Sequence, residues 1–258
     1  MAEMVCAKCD GTGWVLGELE GISGVTRCDC VLVERKDRIE RTSNIPPLYQ
    51  SASFENFLLP KEKDNPVANR NLGSVMMRAK SYAREYPLSD KPGLLFIGEP
   101  GTGKTHLAVA ALRSLIERGF EGLFFDYQNL LDRIRTSYDP ASGTSDKEAY
   151  RSALDAEILL LDDLGAHRTT DWVEDTVTSI ITHRCNNRKA LIATTNLPDP
   201  DAAIASGDRG NSSPGGRDLR RTLAEGIGMR ARSRLFEMCH VIRVSGVEDF
   251  RIKKARLF

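Results

Sequence analysis

A chain of 258 residues, 41% of them apolar, can hold one large α/β domain and a small appendage. Its 36 basic and 36 acidic residues balance to zero, which excludes a globally basic nucleic-acid binder and confines any such contact to a local patch. No stretch approaches the length of a bilayer span, and the start, Met1 to Cys6, lacks a charged segment followed by an apolar one, so a cytoplasmic protein without a membrane partner is expected.

In a reducing compartment, cysteines read as metal ligands or small buried groups rather than disulfides, and four of the six lie within residues 1–30. That segment is glycine-rich and cannot build an apolar core unaided. Cys6-Ala-Lys-Cys9 and Cys28-Asp-Cys30 form two close pairs, whose four thiolates suit tetrahedral zinc. The residues between them would form a small hairpin, with Trp14 and Val15 as its apolar face. The one-residue spacer of the second pair leaves an iron–sulfur site or unpaired thiols open. Residues 31–47 read as a charged helical linker closed by Pro46-Pro47. A helix is then predicted from Val67 to Tyr86, with Leu72, Val75, Met76, Ala79 and Ala83 on one face.

From Gly93 onward apolar runs alternate with helical stretches, as in a parallel sheet covered on both sides. The predicted strands are Leu94–Ile97, Gly122–Asp126, Ile158–Leu161, Ala190–Thr194 and Val241–Val244, with helices near 105–118, 128–137, 146–154, 171–187 and 226–237. Two polar interruptions stand apart, residues 139–146 and a Gly, Ser, Asp and Pro-rich tract at 199–216, which reads as a flexible insertion. Cys185 and Cys239 fall in core elements and are expected to be buried.

The first of these strands runs into Gly98-Glu99-Pro100-Gly101-Thr102-Gly103-Lys104-Thr105, a complete phosphate-binding loop opening onto a helix at His106. Its glycines permit a concave nest of amides aimed at a β-phosphate. Lys104 would reach the β- and γ-phosphate oxygens, and the Thr105 hydroxyl would complete magnesium coordination. The strand at 158–161 ends in Asp162-Asp163: Asp162 would hold magnesium through water, and Asp163 would orient or deprotonate the attacking water. Asn196, just past the strand at 190–194, can hydrogen-bond that water or the γ-phosphate without competing for the metal.

Loop, acidic strand end and polar strand end in this order are parts of an AAA+ ATPase core. Together with Asp162-Asp163-Leu164-Gly165, Thr194-Thr195-Asn196-Leu197 and Ser233-Arg234-Leu235-Phe236, the loop makes the chain from about Asn44 onward resemble the bacterial DnaC/IstB-like AAA+ proteins, which are helicase loaders and transposition ATPases. The resemblance implies a five-stranded parallel P-loop NTPase core over 48–258 that lacks the helical lid, preceded by a small zinc-ribbon-like module. It also implies that Arg234 acts in trans on the ATP site of a neighbouring subunit, with Arg230 one turn earlier on the same face, in a homo-oligomer formed with ATP. Asp163 stands where many AAA+ proteins carry Glu, which fits slow hydrolysis. By resemblance the partners are a replicative DNA helicase or, alternatively, a transposase on duplex DNA; a regulatory ATP switch without DNA contact is a third reading. Arg209, Arg217, Arg220, Arg221, Arg230, Arg232 and Arg234 outnumber Asp208, Asp218 and Glu225 in their stretch, so weak, salt-sensitive, sequence-independent binding of single-stranded DNA is expected there. The stacking candidates are Tyr127, Tyr138 and Phe236, each more at home in a core or loop.

Overall fold

The computed structural model describes residues 6–19, 22–136, 147–200 and 221–255. The interruption at 139–146, Tyr138, Arg209, Arg217, Arg220, Asp208, Asp218 and the tract from 201 onward lie outside them. The chain opens with an antiparallel hairpin, β1 (Trp14–Leu19) and β2 (Ile22–Arg27), followed by helix α1 (Asp29–Thr42). Neighbouring strand residues point to opposite faces, so Trp14 and Val15 do not share one. Trp14 lies with Leu16 and, across the strand pair, Val25, all exposed.

The body of the protein is a parallel sheet in the order β4-β5-β6-β3-β7, formed by β3 (Gly93–Gly98), β4 (Gly122–Asp126), β5 (Ile158–Asp162), β6 (Ala190–Thr195) and β7 (Cys239–Val244). Helices α2 (Pro66–Glu85) and α3 (Lys104–Glu117) join α1 on one face. On the other lie α4 (Tyr127–Thr136), α5 (Lys147–Asp155), α6 (Asp171–Asn186), α7 (Leu223–Ile227) and α8 (Met229–Met238). The central strands are apolar throughout because successive side chains enter opposite cores. Leu94, Phe96, Leu160 and Ile192 pack under α2 and α3, while Leu95, Ile97, Leu161 and Ala193 pack under α4 to α8. A short α9 (Phe250–Ala255) follows the last strand.

Helix α2 starts as its sequence dictates: the Asn65 side chain accepts from the Ala68 amide, and Pro66 occupies the first helical position. The predicted helix at 226–237 is two helices, broken at Gly228, whose φ of 85° is open to glycine and ends α7. The boundary drawn at residue 30 falls inside α1, so the last cysteine of the N-terminal segment lies on the linker helix. That helix is tied to the core by the Phe124 amide donating to the Ser43 carbonyl at 2.7 Å and by an Arg113–Glu40 ion pair at 3.1 Å. Asp199, taken as the start of the flexible tract, is instead buried at 2% exposure. No helix among the described residues is long and apolar enough to cross a membrane.

Candidate functional site

Because β5, β6 and β3 are adjacent and parallel, their carboxyl ends open side by side, and the loops leaving them meet at one edge of the sheet. There the structure gathers Gly98 through His106 with Asp162, Asp163 and Asn196. The loop closes on itself, since the Thr102 hydroxyl donates to the Glu99 carbonyl at 2.8 Å and Lys104 Nζ to the same carbonyl at 2.7 Å. Gly101 and Gly103 have φ of 72° and 91°, where a Cβ would be strained. A Cβ on Gly103 would also come within 2.7 Å of the Phe57 ring.

Lys104 Nζ donates at 2.7 Å to Asn196 Oδ1, and Asn196 Nδ2 donates to Asp163 Oδ1. The amide thus bridges the lysine and the acid. Burial pulls the Lys104 ammonium down to about 8, against the raising pull of Asp163, Asp162 and the nearby Glu99. The Thr105 hydroxyl donates to Asp162 Oδ1 at 2.9 Å, placing together an oxygen pair of the kind magnesium takes. Burial raises both carboxyls above their ordinary value; the hydroxyls of Thr194 and Thr105 oppose this at Asp162, and Lys104 opposes it at Asp163.

Three further residues shape the site. The Thr194 hydroxyl donates to Asp162 Oδ1 at 2.6 Å and accepts from the Asp163 amide at 2.9 Å, holding Asp163 in a left-handed conformation at φ 58°. In the sequence Thr194 stands only as a member of the run Thr194-Thr195-Asn196-Leu197, with no role of its own. Phe57 lies beside Gly103 with its ring tilted on His106, centroids 5.4 Å apart, while His106 Nε2 donates to the Ser53 carbonyl at 2.9 Å. The Phe250 amide donates to the Gly101 carbonyl at 3.1 Å, so α9 begins against the phosphate loop, and the Arg251 charge is felt at both Lys104 and Asp163. The charged, short α9 carried no helical periodicity to announce it.

Arg234 and Arg230 are not part of this gathering. Arg234 Nη1 pairs with Glu237 at 2.6 Å and lies against Cys185 at the end of α6, and Arg230 is exposed. Helix α6 ends just before β6 begins, so this position is at the opposite edge of the sheet. A strand of five to six residues separates the two edges by roughly 17–20 Å, beyond the reach of an arginine into its own loop.

A model of the family described as IstB-like ATP binding protein matches residues 78–208. The chain belongs to this family. It is 26% identical over 183 residues to the replicative helicase loader DnaC of Escherichia coli (strain K12), covering 69% of this chain and 71% of that protein. The crystal structure of the DnaC helicase loader superposes with a TM-score of 0.58 at 28% identity, over 78% of this chain and 100% of that one. The crystal structure of DnaI, 19% identical with a TM-score of 0.56, covers 82% of this chain and 99% of its own and shares the fold. The chain is therefore a member of an ATP-binding AAA+ family of replication type.

The second site of the IstB-like chain is the cysteine cluster. The Sγ atoms of Cys6, Cys9, Cys28 and Cys30 lie within 4.8 Å of one another, with Cys6 to Cys28 at 3.8 Å and Cys9 to Cys30 at 3.4 Å. The first pair sits on a turn in which the Asp10 amide donates to the Cys6 carbonyl at 2.8 Å. The second straddles the start of α1: Cys28 is the extended cap residue and Cys30 lies in the first turn, which explains how a one-residue spacer converges two thiols. Burial raises the Cys9 thiol, but hydrogen bonds from Gly13, Cys30 and Gly11 outweigh it and bring the group to about 7. Four converging sulfurs with amide donors fit zinc. Purified protein should release about one zinc per chain when the thiols are blocked with a mercurial, read with a colorimetric chelator, and Cys9→Ser should lose that zinc while keeping nucleotide binding. Iron in place of zinc, or no bound metal in protein expressed and purified with zinc supplied, would contradict the reading.

Proposed function

We propose that this protein is an ATPase of helicase-loader type, which binds ATP with magnesium and hydrolyses it slowly to control its hold on a replicative helicase and on single-stranded DNA. The observation that carries the reading is the chain of contacts from Lys104 through Asn196 to Asp163, beside Thr105 and Asp162, at the mouths of three adjacent strands. The loop amides and Lys104 would bind the phosphates, and Thr105 and Asp162 would hold magnesium, which supplies charge neutralisation on the transferred phosphoryl group. Asp163 would orient and take a proton from the attacking water, and its raised proton affinity suits that task. Asn196 would pass from Lys104 to the γ-phosphate or the water.

Arg234 would complete the site of a neighbouring subunit, which the distance from its own loop supports, in an oligomer formed with ATP. The cysteine module, with Trp14, Leu16 and Val25 exposed on one face, would dock the helicase. Likeness to DnaC over most of both chains supports the loader reading. The name of the matching family model supports the second, an accessory ATPase of transposition. Asp163→Asn protein, which should hold ATP without hydrolysing it, is the bait that separates them. Captured from native lysate with ATP, a replicative helicase supports the first reading, and a transposase in its place overturns it.

A further inference from the structure

Helix α8 carries arginines at alternate positions, Arg230, Arg232 and Arg234. Two residues turn a helix by about 200°, so Arg232 faces away from the other two. It faces inward: Arg232 Nε and Nη2 donate side-on to Asp199 Oδ2 and Oδ1 at 2.5 and 2.7 Å, and the guanidinium lies 4.5 Å from the centroid of the Phe236 ring. The Asp199 side chain is 1% exposed and that of Arg232 14%.

Asp199 follows Asn196 closely, and the residues between are braced. The Leu197 amide donates to the Thr195 hydroxyl at 3.1 Å, the Pro198 carbonyl accepts from the Leu223 amide at 3.0 Å, and the Leu197 side chain lies against Gly165 and Gly226. A rigid path thus runs from the amide that touches Lys104 and Asp163 to the helix that carries Arg234.

We propose that Asp199 is a positioning residue: by gripping Arg232 it fixes the rotation of α8, presents Arg234 to the neighbouring subunit, and links that presentation to the Asn196 strand end. This rests on the reading that Arg234 acts in trans. A buried ion pair adds little stability that apolar side chains could not supply, but a bidentate pair fixes an angle, which apolar packing does less well. When Lys104 leaves Asn196 for a phosphate, the strand end would shift, and the Asp199–Arg232 pair would carry that shift to α8. Nucleotide occupancy in one subunit would then set the arginine offered to the next.

Subunit mixing tests the proposal. Asp199→Asn protein is expected to bind a fluorescent ATP analogue like the wild type but to turn over about tenfold more slowly, a coupling of ordinary size. Mixed with excess Asp163→Asn subunits, which keep Asp199 and Arg234, the Asp199→Asn sites should regain turnover, because their neighbours now supply a correctly held arginine. Arg234→Ala protein should be rescued in the same way. Rescue of Arg234→Ala without rescue of Asp199→Asn overturns the positioning role and leaves the trans arginine standing. Rescue of neither overturns the trans arginine itself. Should Asp199→Asn fail to unfold cooperatively or to bind the analogue, Arg232→Lys enters the same mixture with the same expected rescue, and Asp199→Glu, which keeps the charge, should retain more turnover than Asp199→Asn.

Discussion

Lys104→Ala should abolish measurable ATP turnover and weaken nucleotide binding while leaving the fold intact. The ammonium donates both to the phosphate loop, at the Glu99 carbonyl, and to the neighbouring strand end, at Asn196. Loss of a single positioned donor to a developing charge lowers turnover by about 10²–10³-fold, and here the same donor would also serve binding. Stability should change little or rise, since the charge is held at 6% exposure against its solvation. The pH dependence follows from that burial. In the nucleotide-free protein Lys104 titrates at about 8, and a phosphate beside it would raise that value. Below about 8 the lysine is already charged and affinity should be flat; above it, binding must take up a proton, so affinity should fall as pH rises. Calorimetry at pH 8.5 or so in two buffers of different ionisation enthalpy should report that uptake, and Lys104→Ala should lack it. Turnover by Lys104→Ala within a fewfold of wild type would remove the loop from the reaction.

The core strands were legible because burial on both faces forces an unbroken apolar run. Gly122–Asp126 falls where the sequence puts it, and the others extend by one or two residues. The phosphate loop was legible because Gly101 and Gly103 meet a local backbone demand for positive φ, and Lys104 and Thr105 follow them at a fixed, contiguous spacing. What the sequence hid were polar residues whose work depends on distant partners. Thr194 sits in a run of apolar residues and cannot be told from a strand former until Asp162 and Asp163 are seen on either side of its hydroxyl. Asp199 begins a stretch whose composition reads as loop, yet its carboxylate is withdrawn from water by Arg232, a residue on another element. Arg251 lies on a helix too short and charged to announce itself, and acts on the site only because the chain returns to Gly101. At Asp199 composition predicts exposure and a specific long-range partner overrides it, whereas Thr194 is buried as its strand implies and Arg251 stays exposed and reaches the site by its charge alone.

Arg184 is the strongest instance, and its removal should be the most damaging single change to stability. It lies in the last turn of α6, where a basic residue normally covers the helix carbonyls from solvent, yet it is fully buried. Its guanidinium donates to the carbonyls of Ala153 at 2.9 Å, Leu154 at 3.3 Å, Glu157 at 3.2 Å and Ala190 at 2.5 Å. These are the last turn of α5, the approach to β5 and the first residue of β6. One side chain therefore satisfies carbonyls at a helix end and at two strand entries. Burial pulls the group down to about 10, so it remains charged at neutral pH. Arg184→Met keeps most of the volume and relieves the buried charge, but it strands those carbonyls. The balance is a loss of about 2–4 kcal/mol. For a chain of this size that is a fall of roughly 5–15 °C in Tm, read by calorimetry or far-ultraviolet circular dichroism. Arg184→Lys should recover only part, because an ammonium lacks the planar fork that reaches carbonyls on three segments at once. A methionine variant melting within 2 °C or so of wild type would mean that those carbonyls find other donors, and that the joint between α5, β5 and β6 does not depend on this arginine.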